Sequence, residues 1–82
     1  MKRIHLVHWN EDEGLERQRQ LEALGFEVAF DFGDSLFVSR QVKALPPDAV
    51  VIDLSRLPSH GREVAHSLRA TKATRQLPIV FV

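Results

Sequence analysis

Apolar positions fall along this chain in seven blocks that alternate between strand-like and helix-like spacing. Arg3 to Trp9 (Arg-Ile-His-Leu-Val-His-Trp) carries Ile4, Leu6 and Val7 and reads as a strand that Asn10 ends. Asn10 with Glu13 resembles a capping box, and Glu11-Asp12-Glu13 suits the positive end of a helix macrodipole. A helix is therefore predicted from about Glu11 to Leu24, with Leu15, Leu21 and Leu24 marking one face, Gln18 between them and Gly25 as a left-handed stop. Phe26 to Phe32 alternates, with Val28, Phe30 and Phe32 on one side and Glu27 and Asp31 on the other, as in a half-exposed edge strand. Gly33-Asp34-Ser35 breaks the chain. Leu36 to Leu45 then returns to a helical period through Leu36, Val38, Val42 and Leu45, with Phe37 off that stripe, until Pro46-Pro47 stops it.

The stretch from Asp48 to Gly61 organises the rest. Ala49 to Ile52 is a short, continuous apolar run rich in β-branched residues, the pattern of a strand buried on both faces of a parallel sheet. Such a strand delivers the next residue, Asp53, to the carboxyl edge of the sheet, where open α/β folds place their ligands. Arg62 to Ala73 predicts a third helix, with Val64, Ala65 and Leu68 on one face and Arg62, His66, Arg69 and Lys72 largely opposite. Pro78 introduces Ile79 to Val82, a fourth apolar run. The order β-α-β-α-β-α-β with short connections implies a three-layer α/β/α domain: parallel strands, right-handed crossovers and helices on both faces. Ending on an apolar strand leaves an open hydrogen-bonding edge. Residues beyond Val82, a partner chain covering that edge, or a domain reduced in evolution would each account for it, and further residues are the expectation.

Composition narrows the picture. Eighty-two residues make a single small domain, 1–82, and a hydrophobic fraction of 44% with 27% charged residues is that of a globular chain. The absence of cysteine excludes disulfides, thiolate metal sites and cysteine nucleophiles. No signal-peptide pattern is present and no apolar run approaches the roughly 18 residues that would span a bilayer, so a cytoplasmic protein without membrane contact is expected. Net charge is zero, with six Lys/Arg against nine Asp/Glu in residues 1–50 and five against two in 51–82. The basic residues after Asp53 are scattered at helical and loop spacings, which describes a solvated face and no direct nucleic-acid binding.

In combination, several segments resemble response-regulator receiver domains: the opening strand, Leu-Glu-Ala-Leu-Gly-Phe-Glu-Val, Pro-Asp-Ala-Val-Val-Ile-Asp-Leu, Leu-Pro-Ser-His-Gly-Arg-Glu-Val, and Leu-Arg-Ala-Thr-Lys-Ala-Thr-Arg-Gln-Leu-Pro-Ile-Val-Phe-Val. The resemblance implies a flavodoxin-like five-stranded sheet, four strands of which are present here. It also implies that the aspartate ending the third strand, matched by Asp53, accepts a phosphoryl group from a histidine kinase with the help of a divalent metal. That metal is held by an acidic pair ending the first strand. Here the matching positions read His8-Trp9, followed by Asn10 and Glu11, and an indole and an imidazole do not replace hard carboxylate ligands for Mg²⁺. The following loop departs too: its proline, Pro58, lies five residues beyond Asp53 where the family has four, although Gly61 keeps the offset of eight. The family's hydroxyl residue on the fourth strand and lysine on the fifth would fall after Val82.

These departures set the expected site: Asp53 as the phosphoacceptor candidate, with His8, Trp9, Asn10, Glu11 and Arg56 around it, no metal and no catalytic residue. Asp53 has a plainer reading as a carboxylate bonding the loop that follows. His8, on the same sheet edge, is expected to pair with Asp53, its imidazolium mimicking a metal-neutralised pocket. His5 lies at an odd offset on the same strand and faces the other way, while Trp9 fills the volume left by the metal. The expected function is that of a pseudo-receiver: a non-enzymatic signalling module without a cofactor, acting through contacts with a histidine kinase or downstream protein, with a homodimer possible at the open edge. Two alternatives stand beside it. One is a true phosphorelay receiver using Asp53 and Mg²⁺; the other is a flavodoxin-like small-ligand domain, disfavoured by the acidic loop His-Trp-Asn-Glu-Asp-Glu-Gly after the first strand.

Overall fold

The computed structural model describes residues 2–31, 35–55 and 58–82. Its elements are β1 (Arg3–Val7), α1 (Glu11–Ala23), β2 (Glu27–Asp31), α2 (Ser35–Ala44), β3 (Ala49–Ile52), α3 (Pro58–Ala70) and β4 (Ile79–Phe81). All strand pairs are parallel, in the order β2-β1-β3-β4. The α/β layering follows from strand parity. Ile4, Leu6, Val28 and Val51 form one apolar cluster, against which Leu21 of α1 packs. Val7, Val50 and Ile52 point to the other face and meet Val38 and Val42 of α2 and Val64 and Leu68 of α3. One helix therefore covers one face and two cover the other, with the sheet's carboxyl edge open between them.

The first helix lies where it was expected but turns a different face inward, and the third starts earlier than its apolar spacing put it. The inward face of α1 keeps only Leu21 of the predicted leucine stripe: Leu24 is 74% exposed and Leu15 lies at the surface, whereas Gly14 is buried. An ideal Cβ on Gly14 would come within 2.1 Å of the Phe30 ring, so the helix meets β2 through backbone, and Gln18 extends that face by donating from Nε2 to the Val28 carbonyl at 3.0 Å. The third helix begins at Pro58, four residues before its expected start at Arg62, because proline at the first helical position gives up an N–H that would have no partner anyway. In α2, Val38 and Val42 are fully buried while Leu36 and Leu45 are exposed, narrowing the predicted stripe to its centre. Phe32, Gly33 and Asp34, expected to end the second strand and break the chain, lie outside the described residues.

Close approach also fixes α3. A Cβ at Gly61 would stand 2.4 Å from a Leu54 methyl and 2.9 Å from Ile52 Cγ2, so glycine lets the helix seat against the end of β3. Beyond α3, Thr74 is buried and donates from Oγ1 to the Leu68 carbonyl at 2.6 Å, and Arg69 Nη1 donates to the carbonyls of Arg75 and Leu77, each at 2.6 Å. These bonds cap the last turn of α3 and hold the chain that leads into β4. Gly25 has φ 97°, the left-handed conformation expected after α1. Among the described residues no helix is long and apolar enough to cross a membrane.

Candidate functional site

The end of β3 carries its last side chains on alternate faces. Ile52 points into the α2/α3 cluster, so Asp53 turns toward α1 at the carboxyl edge of the sheet. Its backbone N–H bonds to the Val7 carbonyl at 2.9 Å, which locks it beside the end of β1. Only 4% of Asp53 is exposed. One carboxylate oxygen, Oδ1, accepts from the Ser55 backbone N–H at 2.8 Å and from the Ser55 hydroxyl, a local turn in which the side chain bonds the backbone two residues on.

The other oxygen, Oδ2, faces two nitrogens. His8 Nε2 lies 3.4 Å away and Arg17 Nη2, from the second turn of α1, lies 3.6 Å away. His8 is 2% exposed, and its Nδ1 accepts the Asn10 backbone N–H at 3.0 Å. Accepting that bond requires a lone pair on Nδ1, so the imidazole's proton sits on Nε2, toward the carboxylate. The expected pairing of His8 with Asp53 is thus present, with Nε2 turned to the carboxylate. A fixed positive charge comes from Arg17, a residue the sequence reading had not singled out.

Burial by itself raises the Asp53 pKa, and the two bonds from Ser55, followed by the electrostatic pull of the neighbouring His8 and Arg17, outweigh it, so the carboxyl ends below its ordinary value and stays ionised at neutral pH. Above it opens a cavity of about 360 Å³, lined by His8, Arg17, Gln20 and Ser55 and by the carboxylates of Asp12, Glu13 and Glu16. Of the described residues expected from sequence, Asp53 and His8 meet there. Trp9 turns to the opposite face, where it packs against the α2/α3 cluster and meets His60 edge-to-face at 6.0 Å between ring centroids. Alternation along the chain is the cause: with His8 on the α1 side, the next residue falls on the other. Asn10 is spent as the N-cap of α1, its Oδ1 accepting the Glu13 N–H at 3.0 Å, and Glu11 is exposed on the first turn outside the cavity lining. Arg56 lies outside the described residues.

A second histidine–carboxylate contact stands on the α2/α3 face. His5 Nε2 lies 3.4 Å from Asp31 Oδ2, and His5 is 6% exposed with no hydrogen bond to Nε2. Burial lowers the His5 pKa more than the neighbouring carboxylate raises it. The parity that turned Asp53 toward α1 turns His5 away from it, as expected.

The implied divalent metal can be tested against these donors. Mg²⁺ takes an octahedron of hard oxygens, and the oxygen that would meet it, Oδ2, instead faces an imidazole N–H and a guanidinium. Among the described residues no three His, Cys, Asp or Glu side chains stand together as a ligand set. As arranged, the residues around Asp53 do not fit a Mg²⁺ ion.

No protein-family model and no curated protein matches the sequence. Solved structures do match, over nearly the whole chain. The N-terminal domain of a response regulator receiver protein from Methanoculleus marisnigri JR1 superposes with a TM-score of 0.86 at 23% identity, covering 99% of this chain and 65% of that one. A sensor protein from Polaromonas sp. JS666 gives 0.85 at 26% identity, covering 98% and 63%. The receiver domain of a sensor histidine kinase from Pseudomonas aeruginosa PAO1, which coordinates a magnesium ion in its active-site cleft, gives 0.82 at 27% identity, covering 98% and 65%. The chain spans a little under two thirds of the length of these structures and has their fold from its first strand through its fourth.

Proposed function

We propose that this receiver-fold chain is a signal-transduction module that works through protein–protein contacts, with Asp53 serving as a structural anion and not as a Mg²⁺-dependent phosphoacceptor. The observation that carries this reading is the full engagement of the Asp53 carboxylate: Oδ1 by Ser55, Oδ2 by His8 and Arg17. Phosphoryl transfer to an aspartate needs a carboxylate oxygen free to attack in line and a metal that neutralises the phosphoryl oxygens as it does so. Here the attacking oxygen is tied to a neighbouring strand end and to a helix, and the donor set does not suit the metal. What the same contacts do accomplish is mechanical. Through Asp53 the end of β1, the second turn of α1 and the loop entering α3 are bound together, which favours a single arrangement of the sheet's carboxyl edge for a partner protein to recognise.

The position of Asp53 supports a second reading, that of a phosphoacceptor, since it ends the third strand of a fold whose Pseudomonas aeruginosa example coordinates magnesium in its cleft. One experiment separates the two. The chain is incubated with acetyl phosphate and MgCl₂ and its intact mass is followed, with Asp53→Asn as control. No phosphoryl adduct is expected. An adduct on the wild-type chain that Asp53→Asn abolishes overturns the proposal and establishes the second reading.

A further inference from the structure

We infer that the outer face of the α2/α3 layer is a docking surface for an acidic segment of a partner protein, one that also carries apolar side chains. This rests on the proposed action through protein–protein contacts and names the chemistry of the partner. Cations that look scattered along the sequence are gathered by the fold onto one layer. Helices α2 and α3 lie side by side, and Ser39 Oγ meets Ser67 Oγ at 3.0 Å between them. On α2 the buried positions are Val38 and Val42, so Arg40, two residues from each, points away from the sheet, with Leu36 one turn before it and Lys43 exposed nearby. On α3 the buried positions are Gly61, Val64 and Leu68, which turns Arg62 and His66 outward. Arg69, Lys72 and Arg75 extend the exposed basic surface to the end of α3 and past it.

The charges of this layer are unanswered. Arg3, Arg17 and Arg19, on β1 and α1, each meet a carboxylate at 3.6 Å or less. Among the described residues no ion pair involves Arg40, Lys43, Arg62, Arg69, Lys72 or Arg75, and the only acid of the two helices is Glu63. Lys43 and Arg69 stand in the last turns of their helices, where a cation complements the macrodipole. Arg40 and Arg62 lie earlier, and the helix dipole does not account for them. Beside Arg40, Leu36 is 59% and Phe37 47% exposed, and arginine next to exposed aromatic and aliphatic side chains is the composition of a protein interface. A nucleic-acid backbone would meet Glu63 within the patch and a chain of zero net charge. An amphipathic acidic helix, which sets carboxylates beside an apolar stripe, complements both the cations and the apolar side chains.

The test is a ¹H–¹⁵N NMR titration of the 82-residue chain with a synthetic amphipathic peptide of about 18 residues, five turns of helix, bearing leucines along one stripe and glutamates on both sides of it. Poly-L-glutamate and a short DNA duplex are titrated in parallel. The peptide is expected to bind with a Kd below about 1 mM, to shift chiefly the amides of α2 and α3, and to weaken about fivefold or more between low and physiological salt. Arg40→Glu combined with Arg62→Glu, at two exposed positions outside the core, is expected to weaken binding by about tenfold or more, whereas Arg19→Glu, a charge reversal on α1, leaves it within about twofold. Absence of peptide binding up to about 1 mM overturns the inference. So do shifts centred on α1, an affinity untouched by the double reversal, or tighter binding by the DNA duplex or by poly-L-glutamate than by the peptide. The phosphodonor experiment reads Asp53 alone: an adduct there overturns the reading of Asp53 without touching this surface, while a silent titration removes the surface and leaves Asp53 a structural anion.

Discussion

Replacing Asp53 by Asn changes one atom of the side chain and reverses the sense of half its contacts. Oδ1 can keep both bonds from Ser55. Where Oδ2 stood, an amide NH₂ would confront the His8 Nε2–H at 3.4 Å and the Arg17 guanidinium at 3.6 Å, donor against donor. Moving the imidazole's proton to Nδ1 frees Nε2 to accept from the new amide, but it sets Nδ1–H against the Asn10 N–H that Nδ1 now accepts, so the conflict moves one bond along. Leaving a buried donor unsatisfied costs about 1–3 kcal/mol. Loss of the half-exposed Arg17 pair adds at most about 1 kcal/mol. Against both stands relief from burying a carboxylate charge, since burial is the largest influence on the Asp53 pKa and opposes ionisation. The expected net loss at pH 7 is about 1–3 kcal/mol, a large share of the 5–15 kcal/mol that holds a typical domain together.

The assay is equilibrium urea unfolding followed by circular dichroism and Trp9 fluorescence, on wild type and Asp53→Asn, at several pH values. A carboxyl whose folded pKa is depressed stabilises fully above its unfolded pKa of about 3.9 and loses that contribution as pH falls through the folded value. The gap between the two proteins should therefore be widest at neutral pH and close below about pH 4. Equal stability at pH 7, or a more stable Asp53→Asn, would refute the account of Asp53 as a stabilising anion.

Gly61→Ala should destabilise by about 1–2 kcal/mol: helix propensity gains up to about 1 kcal/mol, but the new methyl meets the fully buried Ile52 side chain, and overpacking costs about 1–3 kcal/mol; an unfolding midpoint at or above that of wild type would show that α3 can retreat from β3 freely. His5 binds its proton less readily folded than unfolded, so stability should be complete above about pH 6.5 and decline as pH falls below it toward the lowered folded value. His5→Gln should flatten that slope between pH 7 and 5, and an unchanged slope would remove His5 from the pH response.

Much of the fold was legible because apolar runs and their stops are local signals. Val28 and Phe30 against Glu27 and Asp31 identified an edge strand, Val50 to Ile52 a central one, and Asn10 and Gly25 the ends of α1. The buried face of α1 was only partly legible from its leucines, since Leu21 packs against the sheet while Leu15 and Leu24 lie at the surface. The rest of its contact with the sheet is made by Gly14 and Gln18, which carry no apolar signal: one works by having no side chain in the path of Phe30, the other by bonding the Val28 carbonyl. The start of α3 was missed because Pro58 was counted with the loop after Asp53, when a proline can equally open a helix.

The candidate site divides along the same line. Asp53 and His8 could be found because strand parity and the common sheet edge bring them together whatever their neighbours are. Trp9 followed the opposite parity, which the same rule would have shown had it been applied one residue further. Arg17 left a fainter trace. A mid-helix arginine flanked by Glu16 and Gln18 looks solvated, and only once Gly14 and Leu21 are taken as the inward positions does Arg17, one turn after the first and one before the second, fall toward the sheet. A buried carboxylate must be answered by a positive group or by hydrogen bonds. The acidic pair expected at the end of β1 is replaced by His8-Trp9, so a metal is poorly placed to answer Asp53, and the demand passes to the element packed directly over it. That element is α1, and the residue it presents at the right height is Arg17.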